Sequence, residues 1–222
     1  MSQAIAVFAK APLPGRVKTR LRTCMTAAQA AELHAAFVAD TWRRLAVLTG
    51  VRRYLYCDQV WEPFEGLAGP EHFAIQHGAD LGVRMINCMK ELSLRGHDRI
   101  LLLGSDSPTL PIAHVEQAFL ALDRTDAVLG PTADGGYYAV GCRRPDAGMF
   151  AGVTWSSEDT LRETEAAFRT CSMSVSHLPE WYDVDTEAEL ARLAAEPGLP
   201  PNTRRWLDSN PDVMKAVSGG RD

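Results

Sequence analysis

Carboxylates and cations of the kind that handle phosphate recur at the ends of apolar runs in this 222-residue chain. The run at 4–9 passes directly into a loop holding Lys10, Arg16, Lys18 and Arg20, with Pro12, Pro14 and Gly15 among them. Guanidinium forks, ammonium groups and backbone amides neutralise di- or triphosphates, and a glycine lets the main chain approach closely. A solvated basic turn would have the same composition. A Walker loop fits poorly, because Val17 stands where the second glycine would precede the lysine and Pro12 where the first would be. The GxGxxG dinucleotide fingerprint is also missing after this run.

The run at 100–104 leads into GSDSPTLP and puts Asp106 at the carboxyl end of a buried strand, where open α/β sheets bind ligands. Such an aspartate could hold Mg²⁺ or Mn²⁺ against phosphate oxygens, or could merely cap the helix entered through Pro111. Asp183 and Asp185 share one side if their segment is extended. Thr186 and Glu189 suffice to cap the helix that follows, which leaves the two aspartates as further metal ligands or as solvated charges. Asp134-Gly135-Gly136 reads as a hairpin turn or as a place where a ligand nears the main chain, and Tyr137 and Tyr138 must face opposite sides. In QHGADLGVRM, Gly78, Gly82 and Arg84 surround the start of a helix whose N-terminus could meet an anion or a base. His34, His72, His97, His114 and His177 lack metal-ligand spacing and read as surface or core residues.

Strand-length apolar runs at 4–9, 53–57, 73–76, 100–104 and 127–130 alternate with helical patterns at 26–48, 81–94 and 111–122. The alternation predicts a three-layer α/β/α domain with a mixed, mostly parallel sheet. No helix fits between 127–130 and 137–141, so one strand runs antiparallel. A helix at 157–168, a strand near 173–177, a helix at 186–193 and one terminal helix at 202–217 complete a single domain over 1–222, with a core at about 4–193 and a helical tail at 194–222. With 46% apolar residues the chain fills one core, and a net charge of −5 argues against nucleic acid as a partner. The odd, scattered cysteines (Cys24, Cys57, Cys88, Cys142, Cys171) suggest neither zinc nor disulfides and fit a cytoplasmic protein. The apolar N-terminal run, broken by Lys10, is too short for a signal sequence or a membrane span.

The segments FAKAPLPGRVKTRL, GADLGVRM, LLLGSDSPTL, GPTADGGYYAVG and WYDVDTEAEL, in this order, resemble the glycosyltransferase-A-like family called radical-SAM/selenodomain-associated transferase 1, over about 4–193. They resemble more distantly the molybdenum-cofactor and 2-phospholactate guanylyltransferases. The resemblance implies a nucleotide-diphospho-sugar transferase fold with nucleotide over the first half of the sheet. It implies catalytic roles for Lys18 and Asp106. Nucleotide would meet Lys10, Ala11, Pro12, Gly15, Arg16 and Arg20, with Gly78, Gly82 and Arg84. Asp134, Gly135 and Gly136 would border a small-molecule acceptor. Asp106 with Asp185 or Asp183 would hold Mg²⁺ or Mn²⁺. The implied activity is glycosyl transfer from a nucleotide-diphospho-sugar. Guanylyl or cytidylyl transfer to a phosphorylated small molecule is the alternative, and non-catalytic nucleotide binding a further one. The first loop departs from the guanylyltransferases in carrying prolines where they carry glycines, and Ser105-Asp106-Ser107 lacks the extended DxD of many sugar transferases. If Asp106 serves ligands alone, Asp106→Ala leaves the ligand-free protein as stable as before.

Overall fold

A computed structural model describes residues 2–219, so Met1 and the end of the expected tail at 220–222 lie outside the described residues. The apolar runs form strands β1 (Gln3–Ala9), β2 (Val51–Cys57), β3 (Phe73–Ile75), β4 (Arg99–Gly104), β5 (Ala127–Pro131), β6 (Tyr137–Cys142) and β7 (Val175–His177). Helices α1 (Ala27–Arg44), α2 (Glu62–Ala68), α3 (Leu81–Leu94), α4 (Ile112–Ala121), α5 (Thr160–Thr170), α6 (Glu187–Ala194), α7 (Pro201–Ser209) and α8 (Pro211–Gly219) connect and follow them. The strands form one seven-stranded sheet in the order β3-β2-β1-β4-β6-β5-β7. It is parallel except for β6, which runs antiparallel to both β4 and β5. Among the described residues no helix is long and apolar enough to cross a membrane.

Alternation along the strands sends side chains to both faces. Ile5 and Val7 join Val38 and Trp42 of α1 and Val115 and Phe119 of α4 on one face. Ala4 and Ala6 join Met89 and Leu92 of α3 and Phe168 of α5 on the other. Each large aliphatic side chain buried in this way contributes about 1.5–3 kcal/mol. A third cluster packs Leu21 and Phe37 against Tyr182, Val184, Leu190 and Trp206, and fastens the C-terminal helices to α1.

Two elements differ from the sequence expectation. Helix α2 was not foreseen, because its seven residues include Pro63 and Gly66 and bury only Phe64, too little for a periodic signal. The single terminal helix expected at 202–217 is two helices. Pro211 disfavours helical geometry in the residue before it, and Asn210 accordingly sits at φ −125°, ψ 56°.

The sheet order fixes where a ligand can bind. From β1 the chain builds β2 and β3 on one side and then crosses to place β4 on the other. The loops leaving the carboxyl ends of β1 and β4 therefore diverge and open a crevice between them.

Helix α7 has Pro200 at its N-cap position, with no side-chain cap of its own. The buried Asp40 of α1 takes over that task. It accepts from Asn202 N at 3.1 Å and Nδ2 at 2.6 Å, and from Thr203 N at 2.7 Å and Oγ1 at 2.8 Å. Asp40→Ala strands these donors, and a loss of about 2–4 kcal/mol is expected in urea denaturation. A change under about 0.5 kcal/mol would show that α7 is held by its apolar face alone.

Candidate active site

The first loop is braced from below before it turns. Asp58, just after β2, accepts the Ala11 amide at 2.7 Å. Gln76, just after β3, donates its side-chain amide to the carbonyls of Ala9 at 3.0 Å and Tyr56 at 2.9 Å. The chain reverses at Pro14-Gly15, where Arg16 N donates to Leu13 O at 3.0 Å and Gly15 takes the φ of 79° that a type II turn needs. Lys18 is then left-handed at φ 48°, ψ 40°, a costly conformation for a residue with a Cβ and one that gathers at functional sites. A 3₁₀ turn, Thr19–Thr23, follows.

The Lys18 side chain is driven inward, over the ring of Phe37 with its ammonium 5.4 Å from the centroid. There the ammonium contacts Asp106 directly and Asp185 Oδ1 at 3.0 Å. Asp106 follows β4, and Asp185 stands at the start of α6. Val184 N donates to Asp106 O at 2.9 Å, which lays the 183–185 segment beside the Asp106 loop. Val184 is fully buried between its neighbours, and Asp183 on the same side as Asp185 accepts from Ser107 Oγ at 2.5 Å. The spacing expected to align these carboxylates does so. His34 of α1 completes the group. Its Nε2 lies 3.0 Å from Lys10 O, and since a carbonyl only accepts, that nitrogen carries hydrogen; Nδ1 lies 3.7 Å from Asp106 Oδ1.

The electrostatics follow from this packing. Burial disfavours the Lys18 ammonium, but Asp106 and Asp185 outweigh it and raise its pKa above the ordinary lysine value. Burial likewise disfavours the Asp106 carboxylate, but Lys18 and His34 hold its pKa well below the usual range. Asp183 goes the other way, pushed up to about 7 by burial and by the neighbouring charge of Asp106. Lys18 is only 2% exposed in its side chain, whereas Asp106 and Asp185 are 38% and 39% exposed, so the carboxylates still present oxygens to solvent.

They open onto a cleft of about 960 Å³, within the range that holds a nucleotide-sized ligand. Lys10, Arg16 and Arg20 border it from the first loop, and Asp80 and Arg84 from the start of α3. Asp134 and Gly136 border it opposite, although Asp134 Oδ1 is engaged in closing the hairpin, accepting from Thr132 Oγ1 at 2.6 Å and Gly136 N at 3.2 Å. The other residues expected to meet ligand do not border the cleft. Ala11 and Pro12 are buried under the loop, and Gly15 occupies its turn. A Cβ on Gly78 would stand 2.8 Å from Arg84 N, one on Gly82 2.8 Å from Trp155, and one on Gly135 2.0 Å from Glu158 O. These glycines serve close packing of the walls. No local signal singles out His34, Ser107 or Asp58. Only the placement of Gln76 at the end of a strand hinted at its role.

Among the described residues, no group of three or more His, Cys, Asp or Glu side chains stands ready to hold a metal ion. Asp106 and Asp185 nevertheless already share one cation, the Lys18 ammonium, and their oxygens are the hard donors that Mg²⁺ or Mn²⁺ takes. The donor chemistry fits such an ion, with phosphate and water completing its shell.

Comparison with known proteins bears on the fold and the family. The profile of a family described as "Uncharacterized protein conserved in bacteria (DUF2064)" matches residues 33–157, more than half of the chain. A crystal structure from Desulfovibrio desulfuricans G20, provisionally described as a nucleotide-diphospho-sugar transferase, superposes with a TM-score of 0.86 at 34% identity, covering 98% of this chain and 99% of that one. CMP:2-keto-3-deoxy-manno-octonic acid synthetase complexed with CTP superposes with a TM-score of 0.56 at 13% identity, covering 87% and 98%. A cytidylyltransferase from Leptospira borgpetersenii serovar Hardjo-bovis does so with 0.54 at 12% identity, covering 98% and 97%. The last two likenesses are of fold alone, and the fold is that of the nucleotide-diphospho-sugar transferases. No curated protein matches the sequence.

The raised pKa of Asp183 has a consequence for stability. Native Asp183 keeps its proton up to about pH 7, whereas an unfolded aspartate releases it near 4. Between those values the native state holds more protons, so this group's stabilising contribution, complete below about pH 4, is lost as pH rises through about 7. Urea midpoints of the ligand-free protein measured from about pH 5 to 8 should fall less steeply in Asp183→Asn than in the parent. Equal slopes would mean that Asp183 is ionised throughout.

Proposed function

We propose that this chain, which belongs to the DUF2064 family, is a transferase that uses a nucleotide-activated donor, with glycosyl transfer from a nucleotide-diphospho-sugar as its reaction. The observation that carries the proposal is the convergence of Lys18, Asp106 and Asp185 at the mouth of the crevice between β1 and β4. The provisional description of the Desulfovibrio relative supports the choice of donor.

In this reading the diphosphate lies against the first loop, where Lys10, Arg16, Lys18 and Arg20 neutralise its oxygens. As the bond to the sugar breaks, negative charge builds on the departing nucleoside diphosphate, and these cations stabilise the leaving group more than the bound donor. Asp106 and Asp185 would hold Mg²⁺ or Mn²⁺, which when bound supplies Lewis-acid neutralisation of the phosphates. The braces from Asp58 and Gln76 keep the loop in position without being recruited at the moment of reaction. The acceptor would enter along the side bordered by Asp134 and Gly136.

The number of cations in the first loop would also suit a triphosphate, and this keeps nucleotidyl transfer as a second reading. A thermal-shift panel of nucleoside diphosphates, nucleotide-sugars and nucleoside triphosphates, each with and without Mn²⁺, separates the two. Ligand at about a hundred times its dissociation constant stabilises the fold by about 2.7 kcal/mol. Metal-dependent shifts with diphosphates and nucleotide-sugars support glycosyl transfer. Shifts confined to triphosphates would replace it with nucleotidyl transfer, and no shift with any nucleotide contradicts both.

The buried pairing of Lys18 also changes the expected behaviour of Asp106 variants. Asp106→Asn removes one of the two carboxylates that neutralise a buried ammonium. The ligand-free protein should lose about 1–3 kcal/mol, where the sequence alone predicts no change for loss of this carboxylate. The metal-dependent part of nucleotide stabilisation should disappear as well. Retention of that part would remove Asp106 from the site.

A further inference from the structure

Lys18 occupies the position in which a cation is shared by Asp106 and Asp185. It is a buried side chain, it contacts both carboxylates, and its ammonium lies over the Phe37 ring. An ammonium and a divalent ion cannot occupy that position together, because their repulsion within a few ångströms in a partly buried setting exceeds what either gains from carboxylates already neutralised. We infer that Lys18 is the resident cation of this position, that a divalent ion enters between Asp106 and Asp185 by displacing its ammonium, and that the displaced ammonium then serves the donor phosphates.

The surroundings of Lys18 suit such an exchange. Its backbone sits in a left-handed conformation between the Pro14-Gly15 turn and the 3₁₀ turn, so the residue is held there at a cost by its side-chain contacts. Its neighbours Thr19 and Arg20 are exposed, and little packing has to be undone on that side of the loop. Asp106 is not left unpaired when the ammonium leaves, because the entering ion takes over the charge that Lys18 supplied to it and to Asp185. The arrangement also predicts linkage. Without nucleotide the freed ammonium has no new partner and the metal binds weakly; with nucleotide the phosphates receive it, so metal and nucleotide strengthen one another. The inference rests on the proposed role of Asp106 and Asp185 as divalent-cation ligands.

The test uses the whole protein, Mn²⁺ and no nucleotide. Free Mn²⁺ is followed by electron paramagnetic resonance during titration of the parent protein and of Lys18→Met, which keeps an unbranched side chain and removes the charge. The variant should bind Mn²⁺ about tenfold tighter or more, as expected when a like charge is removed from the same position. Equal or weaker binding by the variant, with the parent binding normally, overturns the exchange and leaves the metal assignment intact. Absence of Mn²⁺ binding in both overturns the exchange and the metal assignment together, while the nucleotide panel still judges donor binding by itself. The parent alone gives a second measurement that does not depend on the variant folding. Acetic anhydride labelling read by mass spectrometry should find Lys18 protected in the metal-free protein and acetylated faster once Mn²⁺ is added. Protection unchanged by Mn²⁺ at concentrations that saturate the site overturns the exchange.

Discussion

The buried ammonium of Lys18 joins three parts of the chain that are far apart in sequence: the loop after β1, the loop after β4 and the segment leading into α6. Desolvating that charge is costly, and it is tolerated because Asp106 and Asp185 both reach it. The rest of the site is organised around keeping those partners in place. Val184 donates to the Asp106 carbonyl, Ser107 holds Asp183, and Glu189 accepts the amides of Asp185 and Thr186. One charge cluster thus sets the shape of the first loop and the path of the chain before α6.

The sheet makes that convergence possible. Because β1 lies between β2 and β4, the loops after β1 and β4 emerge side by side and part, leaving a crevice with cations on one lip and carboxylates on the other. The antiparallel strand β6 and its hairpin supply the opposite wall, and close packing accounts for two glycines there. Gly130 has no side chain because the Tyr138 ring fills that space, with Cζ 2.4 Å from where a Cβ would stand. Gly135 is covered by the backbone of Glu158 for the same reason. The wall is close-packed at Gly130 and Gly135, and polar where Asp134 and Gly136 reach the cleft.

Much of this is legible in the residues themselves. Uninterrupted apolar runs ending in a basic loop or in Asp106 mark buried parallel strands whose ends border the cleft, and β1, β4 and α3 lie where periodicity places them. The two-residue spacing of Asp183 and Asp185 put both on one side of an extended segment, and they are so disposed about Asp106. What sequence could not supply was any relation between distant segments. His34 sits on the inward face of α1 among Leu33 and Phe37 and carries no local mark of its approach to Asp106. The pairing of Lys18 with Asp185 spans 167 positions, so the sequence marks the lysine as one of four cations in a phosphate-handling loop and not as the partner of that carboxylate. At Gly82 and Gly135 the space for a Cβ is filled by Trp155 and by Glu158, and a glycine needed for such packing and one needed for ligand approach look alike in one dimension.

The most direct test is a crystal structure of the protein grown with a nucleoside diphosphate and Mn²⁺. Phosphate density against the first loop, within reach of Arg16, Lys18 and Arg20 and beside Asp106 and Asp185, is the predicted result. A nucleotide bound elsewhere, or seated in the cleft with its phosphates turned away from that loop, would contradict the assignment of this crevice as the donor site.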